Sequence, residues 1–398
     1  MLYFTASILN AAEPEIVEQS KKFMRVLVVS HLALPHVGGV ENLVDLEVRG
    51  LAAAGHEVAL VSSDGDGAGR KPEYPANVRT IRVPAWHRLE RTFGIPYPIF
   101  GPRVLAILWR EIAWADVVHA HGFLFQNTAL AVLLARMQAK PCILTDHGGI
   151  QKFGSMPATF AARLGAETVG RLSATLATRV VTYNARIQQT LNRLGRRRDA
   201  EFVPNPVDRE VFFPPTASER AAARAALGWE AGRRKVLFVG RLIATKGVPL
   251  LLESLDPSFD LVFCGPGDPA ILGKLPRTGV EFLPPRPQHE LRSLYHAADA
   301  LALPAEVREG FPLVVQEAIA CGLPVVLGDD PGFAPYRDLP GLILCQRKLA
   351  EVRAAIRTAL EFRPQAGEPA DFFPSLERWA TRMFPPPPAR PEVCLASQ

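Results

Sequence analysis

The sequence predicts an α/β protein with two units, each built around a parallel sheet. Short apolar runs that suit buried parallel strands recur along the 398 residues, and glycine-containing turns and helical patterns follow them. This length is enough for two domains with separate cores. No apolar run reaches the roughly 18 residues that a membrane span needs, and the best candidate, 104–118, is interrupted by Arg110 and Glu111.

Composition narrows the class of protein further. Apolar residues make up 48% of the chain, which is typical of a globular protein. The net charge of +5 permits attraction to acidic surfaces or phosphate substrates, and it is equally compatible with ordinary solubility. Five scattered cysteines without a C-x-x-C pair favour reduced thiols and a cytoplasmic protein.

The first unit begins with an apolar strand at 24–30, so residues 1–23 are expected to be an extension that resembles a signal peptide poorly. Gly38 and Gly39 follow, and a helix is predicted from about 42 to 54. A glycine-rich turn before a helix can accept a phosphate, or it can be a tight turn without a ligand.

An acidic loop, Asp64-Gly65-Asp66, follows the second strand of this unit. It looks like a D-x-D metal-binding motif, but a plain flexible loop is the favoured interpretation. The sequence therefore predicts no metal site.

Residues 82–103 form an aromatic, basic and proline-broken segment. Such a segment can lie on a membrane interface or line an acceptor pocket, and it can equally be a surface loop with buried aromatic side chains. Its basic and aromatic residues include Arg82, Trp86, His87, Arg88, Arg91, Phe93, Tyr97, Phe100 and Arg103.

Histidines mark the ends of the next two predicted strands. His119 and His121 alternate onto one face of the strand at 116–121, and His147 follows the strand at 142–145. His121 and His147 should both emerge at strand carboxyl ends, where open α/β sheets place their ligands. A three-histidine metal site is an alternative that the pattern favours less.

The second unit opens with a strand at 236–239, followed by Gly240, Arg241 and Lys246. Arg241 can fork onto phosphate oxygens and Lys246 can add a point charge. A further strand at 261–264 ends in Gly265, at a turn suited to the nucleobase end of a nucleotide.

The most informative stretch follows the apolar strand 299–303. Pro312 suits the start of a helix, and Gly322 suits its end. This arrangement places Glu309 in a loop and Glu317 in the second helical turn. The helix N-terminus between them can bind an anion, and two carboxylates beside it can hold sugar hydroxyls.

This stretch, E-G-F-P-L-V-V-Q-E-A-I-A-C-G-L-P-V-V, resembles the family 4 retaining glycosyltransferases, as do G-R-L-x-x-x-K-G from Gly240 and the P-N-P-V-D segment ending at Asp208. The resemblance covers residues 24–344. It implies the GT-B fold, in which two Rossmann-like domains face across an interdomain cleft. It also implies a nucleotide-sugar donor and no obligatory metal or other cofactor.

The resemblance also assigns roles to residues. His147, Arg241, Lys246 and Glu309 are the expected catalytic residues, and His121 is expected on the acceptor side. Glu309 would orient the donor sugar and Glu317 would hold the ribose. The donor-binding set comprises Gly38, Gly39, Gly240, Arg241, Lys246, Gly265, Glu309, Gly310, Phe311, Pro312, Leu313 and Glu317.

The expected boundaries follow from these motifs. Residues 1–23 are the extension, 24–208 the acceptor-side domain, and 209–372 the nucleotide-sugar domain. A helix that returns to the first domain is expected within 373–384, and a disordered proline-rich tail within 385–398.

Three functions remain open from the sequence. The first is transfer of a sugar from a UDP- or GDP-linked donor to a lipid-linked or saccharide acceptor in glycolipid or cell-surface polysaccharide assembly. Peripheral contact with the anionic inner face of a membrane would accompany it, and no nucleic acid is expected as a partner. The second is transfer to a small soluble acceptor, and the third is non-catalytic sugar-nucleotide binding.

Overall fold

The structure, a computed structural model, describes residues 23–36, 38–65, 71–150, 156–195, 199–230, 232–273, 278–306, 310–362 and 372–385. Within them, two parallel sheets of seven and six strands form the centres of two α/β units. A short antiparallel pair accompanies the first sheet. The expected extension lies outside the described residues except for Phe23, as does the tail except for Pro385.

The strands of the first unit are short and mostly buried, as expected for a parallel sheet covered on both faces. They are β1 Arg25–Ser30, β2 Glu57–Ser63, β3 Val78–Val83, β4 Ala85–Trp86, β5 Ile99–Phe100, β6 Val117–His121, β7 Cys142–Thr145, β8 Arg179–Thr182 and β9 Glu201–Phe202. The sheet order is β3-β2-β1-β6-β7-β8-β9, and β4 pairs with β5. The strand order changes direction between β1 and β6, and open parallel sheets bind ligands at such a switch point.

The helices of the first unit cover both faces of this sheet. They are α1 Gly39–Ala53, α2 Arg88–Phe93, α3 Arg103–Trp114, α4 Gln126–Met137, α5 Met156–Gly165, α6 Arg171–Leu176 and α7 Ala185–Leu194. A π-helical turn, Ala166–Gly170, joins α5 to α6. Helix α1 begins three residues earlier than expected, because extended Gly38 already serves as its N-cap.

The second unit repeats the plan with a single large core. Its strands are β10 Arg234–Val239, β11 Phe259–Cys264, β12 Val280–Leu283, β13 Ala300–Leu303, β14 Val325–Gly328 and β15 Leu342–Cys345, in the order β12-β11-β10-β13-β14-β15. Its helices are α8 Ala217–Ala226, α9 Val248–Ser254, α10 Gln288–Ala297, α11 Leu313–Ala320 and α12 Leu349–Glu361.

The last helix, α13 Leu376–Met383, packs on the first unit. Trp379 and Met383 join Val44 and Val48 of α1 in one buried cluster, and Leu376 lies against Gly50. Just before this helix, the carbonyl of Pro374 accepts a 3.1 Å bond from the Val207 amide. The chain therefore passes between the two units twice, and the two crossing segments lie side by side at Val207 and Pro374.

None of the helices in the described part of the chain is long and apolar enough to cross a membrane. The four cysteines that the structure describes are buried and unpaired, and they act there as small apolar side chains.

Candidate active site

The cleft wall contributed by the second unit starts at the carboxyl end of β10. Gly240 and Gly265 are adjacent there, and both have φ near 150°. A Cβ on Gly265 would overlap the Gly240 carbonyl, so this position requires glycine for packing, whether or not it touches a ligand. The turn leaves Arg241 exposed at the sheet edge.

Lys246 lies on a short 3₁₀ turn beside the loop that leads to α11. The Glu306 amide donates a 2.8 Å bond to the Thr245 carbonyl, and a Cβ on Gly247 would overlap the Pro304 carbonyl. Because β10 and β13 are neighbours, the Arg241–Lys246 loop and the loop before α11 meet at one sheet edge.

The N-terminus of α11 lies at this edge. Pro312 is its N-cap and Leu313 its first residue, as the sequence predicts. Phe311 is buried and stacks on Tyr336, with ring centroids 3.8 Å apart, so its side chain belongs to the core and only its backbone faces the cleft. Glu309 lies outside the described residues.

Glu317 lies in the second turn of α11, and its side chain is buried. Oε1 accepts a 2.6 Å bond from Gln288, and Oε2 accepts a 2.8 Å bond from Tyr295. Burial raises the pKa of Glu317 to about 7, although both donors lower it. A ribose could reach this carboxylate only by displacing or supplementing Gln288, which the sequence did not anticipate.

The first unit contributes the facing wall through a chain of buried side chains. His121 ends β6, between Ser30 and Thr145 of the neighbouring strands. Its Nδ1 lies 2.9 Å from Nε2 of His147, whose Nδ1 lies 3.0 Å from the Tyr183 hydroxyl. Both ring nitrogens of His147 therefore bond to protein, and a sugar could meet only its ring edge or its backbone.

The N-terminus of α1 forms a second polar group on this wall. His36 lies 2.9 Å from Glu41 and 2.7 Å from Glu90. The hydrogen bond to Glu41, with that to Glu90, raises the pKa of His36 to about 9 against the effect of burial. A Cβ on Gly38 would overlap the Glu41 carboxylate, whereas a Cβ on Gly39 would meet nothing within 4 Å. Gly39 is the glycine with room for a ligand.

The two walls meet at Gly310. A Cβ there would lie 2.7 Å from the His147 carbonyl oxygen and 2.6 Å from Cε2 of Tyr183. Beside this contact, Arg186 Nε lies 3.4 Å from the Asp330 carboxylate. The predicted donor-side and acceptor-side motifs therefore face each other across one narrow interdomain cleft.

Two other predicted features lie mostly apart from the cleft, although Glu90 of the 82–103 segment reaches it through His36. Asp64 accepts a 3.0 Å bond from the Ala85 amide, and Asp66 lies outside the described residues. In the 82–103 segment, Phe100 is buried, while Arg82 is half-buried and bonds to Ser62. Of its aromatic residues with described exposure, only Trp86 is exposed, which supports the buried-aromatic interpretation for Phe100.

Several site residues were missed from the sequence, and Glu47 is the clearest case. It is fully buried on α1 beside His119 and His121. The sequence did indicate that Glu47 is buried, because it falls on the apolar face of α1 with Val44 and Val48. Gln288, Tyr295 and Tyr183 carried no such signal, because polar partners from distant elements leave no local pattern.

Two family models cover most of both units. The model described as Glycosyltransferase Family 4 matches residues 37–211, and that described as Glycosyl transferases group 1 matches residues 219–342. Two Rossmann-like domains that meet across a cleft, with these models on successive domains, define a GT-B glycosyltransferase fold.

Curated relatives agree with this class. A D-inositol 3-phosphate glycosyltransferase of Xylanimonas cellulosilytica is 31% identical over 320 residues, which cover 73% of this chain and 75% of that protein. The chain therefore belongs to glycosyltransferase family 4. A protein of the same name from Mycolicibacterium vanbaalenii is 32% identical over 242 residues, and the match spans about half of each protein, 54% of this chain and 52% of the relative.

Solved structures confirm the predicted fold of two Rossmann-like domains. Sucrose-phosphate synthase from Thermosynechococcus elongatus superposes with a TM-score of 0.68 at 20% identity, covering 90% of this chain and 97% of that one. Anabaena HepE in complex with UDP and glucose gives 0.66 at 18% identity, covering 90% and 98%. WaaG, a glycosyltransferase involved in lipopolysaccharide biosynthesis, gives 0.59 at 17% identity, covering 91% and 100%.

Proposed function

We propose that this protein is a retaining glycosyltransferase that uses a nucleotide sugar. The observation that carries the proposal is the contact of Gly310, at the start of the α11 motif, with His147 and Tyr183 of the facing domain. It brings the predicted donor motifs and the histidine wall to opposite sides of one cleft. UDP- and GDP-sugars are the donors tested first, since the complex with UDP and glucose belongs to a protein of the same fold.

The proposed chemistry is electrostatic. The diphosphate would lie at the N-terminus of α11, with Arg241 and Lys246 neutralising the charge that grows as the sugar departs. Glu309 would orient the sugar. A phosphate oxygen of the leaving group would accept the proton of the acceptor hydroxyl, so the reaction requires neither a protein base nor a metal.

The proposed acceptor is lipid-linked or a growing saccharide, and the first domain would contact an anionic membrane. Arg88, Arg91 and Arg103 are exposed there. A second exposed surface, the apolar stripe, lies on α5–α6 and consists of Met156, Phe160, Leu164, Val169 and Leu172. Aromatic and aliphatic side chains beside exposed arginines suit an interfacial surface.

The helices that carry the apolar stripe and the 82–103 segment share a contact at Leu124. The Tyr97 hydroxyl donates a 2.9 Å bond to the Leu124 carbonyl, and the side chain of Leu124 lies against Gly165 and Gly170 between α5 and α6. The π-helical turn adds a residue to the helical repeat. This addition rotates Val169 and Leu172 towards the line of Phe160 and Leu164.

The decisive experiment is a donor screen followed by a product analysis. Thermal shift with UDP-, GDP- and ADP-sugars identifies the donor, and NMR of the product tests retention of the anomeric configuration. Donor hydrolysis in 5 mM EDTA tests independence from metal. Binding without hydrolysis or transfer would favour the non-catalytic alternative, and an inverted product would contradict the retaining mechanism.

A further inference from the structure

Behind the cleft lies a buried ionisable cluster to which the proposed reaction assigns no role. Glu47 of α1 contacts His119 and His121 of β6, and none of the three is more than 1% exposed. Glu47 Oε1 lies 2.6 Å from His119 Nδ1, and Oε2 lies 2.9 Å from His121 Nε2. The first contact is a hydrogen bond, whereas the second is a close contact without hydrogen-bond geometry, and neither of its two atoms has a hydrogen-bond partner among the described residues.

The ionised state of Glu47 determines where the protons lie. Burial alone would raise the pKa of Glu47, but His119 and His121 lower it to about 2. An ionised carboxylate only accepts hydrogen bonds, so each imidazole must present an N–H to it. His121 therefore carries a proton on Nε2, and burial lowers its pKa and keeps the ring neutral.

This assignment propagates along the chain of rings. A neutral His121 with its proton on Nε2 has an unprotonated Nδ1, which must accept from His147 Nε2 at 2.9 Å. Burial lowers the pKa of His147 well below its usual range, so the ring is neutral and its Nδ1 is an acceptor. The Tyr183 hydroxyl must then donate to His147 Nδ1 at 3.0 Å.

We propose that Glu47 is a positioning residue that acts through His121 to fix the tautomer and ring orientation of His147. The same chain fixes the direction of the Tyr183 hydroxyl, which lies at the interdomain contact with Gly310. The tautomer assignment rests on these contacts together with the ionisation states of the three buried groups. Its consequence for sugar transfer rests on the proposed function.

A metal is the competing explanation for this cluster. Ligand atoms of Glu47, His119 and His121 lie within 4.8 Å of one another. A tetrahedral ion with bonds of about 2.0–2.1 Å separates its ligand atoms by roughly 3.3 Å. The 2.6 Å between Glu47 and His119 is instead a charge-assisted hydrogen bond.

Histidine tautomers can be read directly by long-range ¹H–¹⁵N correlation on ¹⁵N-histidine-labelled full-length protein at pH 7. His147 signals are assigned with His147→Gln, and we expect a neutral ring protonated on Nε2. In Glu47→Gln the new amide can donate to His121 Nε2, which shifts the proton to Nδ1 of His121 and then to Nδ1 of His147. Partial or complete conversion to that tautomer is expected.

The matched control is Glu111→Gln. Glu111 is also buried in the first unit, where it pairs with Arg79 and Arg110 away from the histidines. This variant also removes a buried carboxylate, but it should leave the His147 signals unchanged. If Glu47→Gln does not fold, the wild-type spectrum still decides, because an Nδ1-protonated or charged His147 overturns the proposal.

Kinetics and metal analysis complete the test. Glu47→Gln should lower kcat at least tenfold with the donor KM within twofold, and Glu111→Gln should change neither by more than twofold. Absence of transfer in the wild type would contradict the proposed function, whereas the tautomer result would stand separately. One equivalent of zinc in purified wild type that Glu47→Gln loses would overturn the hydrogen-bonded assignment.

Discussion

The hydroxyl of Tyr336 donates a 2.6 Å hydrogen bond to the backbone carbonyl of Tyr183, and this bond joins the two units beside the cleft. Tyr336 also stacks on Phe311, at the start of the α11 motif. Tyr183 contacts His147 on the other side. One pair of tyrosines thus connects the buried histidine chain of the first unit to the donor motif of the second.

Gly310→Ala should separate the units at this contact. The added methyl would lie 2.6–2.9 Å from Tyr183 and from the His147 carbonyl, so one wall must move. Overpacking costs about 1–3 kcal/mol, and we expect turnover to fall about tenfold or more. Small-angle scattering should show a larger radius of gyration.

Gly101→Ala is the control, since a Cβ at Gly101 meets nothing within 4 Å. It should leave turnover and radius unchanged. Unchanged turnover in Gly310→Ala would show that this contact plays no part in the reaction.

Arg241→Ala should lower turnover at least 100-fold with saturating donor. If Arg241 lies beside the departing diphosphate as proposed, its removal forfeits about 2.7 kcal/mol or more of charge stabilisation. The measurement is kcat from product formation on folded protein. The control is Arg357→Ala, which removes an exposed arginine of α12 that pairs with Asp256. It should leave kcat unchanged. Full activity in Arg241→Ala would refute its role.

Glu317→Gln should alter stability in a pH-dependent way. The folded pKa of about 7 lies above the unfolded value, so the contribution of Glu317 is present below pH 4.5 and lost as pH rises through 7. Relative to wild type, the variant should therefore gain on the order of 2–3 kcal/mol of unfolding free energy between pH 4.5 and pH 8. Urea unfolding at both pH values measures this difference.

The same variant tests the ribose role. If the carboxylate binds ribose hydroxyls, Glu317→Gln should weaken UDP or GDP binding at least tenfold by calorimetry, and the variant should still show the relative gain in unfolding free energy between pH 4.5 and pH 8. Exposed Glu361→Gln is the control and should change neither quantity. Undiminished nucleotide affinity would leave Glu317 as a purely structural partner of Gln288 and Tyr295.

His36 should make stability fall in alkaline solution. Its folded pKa of about 9 lies above the unfolded value, so its contribution is complete below pH 6.5 and disappears as pH rises through 9. We expect His36→Gln to cost on the order of 2–3 kcal/mol more at pH 6.5 than at pH 10. His289→Gln, at an exposed histidine, should show no such difference, and a pH-independent cost for His36→Gln would contradict the ion-pair assignment.

Membrane contact should depend on both proposed surfaces. Replacing Arg88, Arg91 and Arg103 with glutamine should weaken flotation with phosphatidylglycerol vesicles about 100-fold, since each arginine contributes about 1 kcal/mol near an anionic surface. The double variant with Phe160→Ser and Leu164→Ser should also weaken flotation with these vesicles, even at low salt. Replacing Arg337, Arg353 and Arg357 of the second unit is the control. Wild-type protein that ignores these vesicles at low salt would favour the soluble-acceptor alternative.

The sequence by itself determined the two α/β units, the approximate limits of most strands and the start of α11 at Pro312. These features depend on residues close together in the chain: apolar runs, the fixed φ of proline, and glycines at turns. The motif around Gly310 and the G-R-L-x-x-x-K-G turn could be identified from the sequence for the same reason. Their geometry is largely local.

Only the tertiary structure decided which polar groups meet. Glu47 and His119 are 72 residues apart, Glu317 and Gln288 are 29 apart, and Tyr336 and Tyr183 are 153 apart. Such contacts depend on how crossovers place helices over sheets and how the units close, which no local pattern encodes. Burial then changes the chemistry of these groups, because a carboxylate or imidazole removed from water takes its charge and proton position from its neighbours.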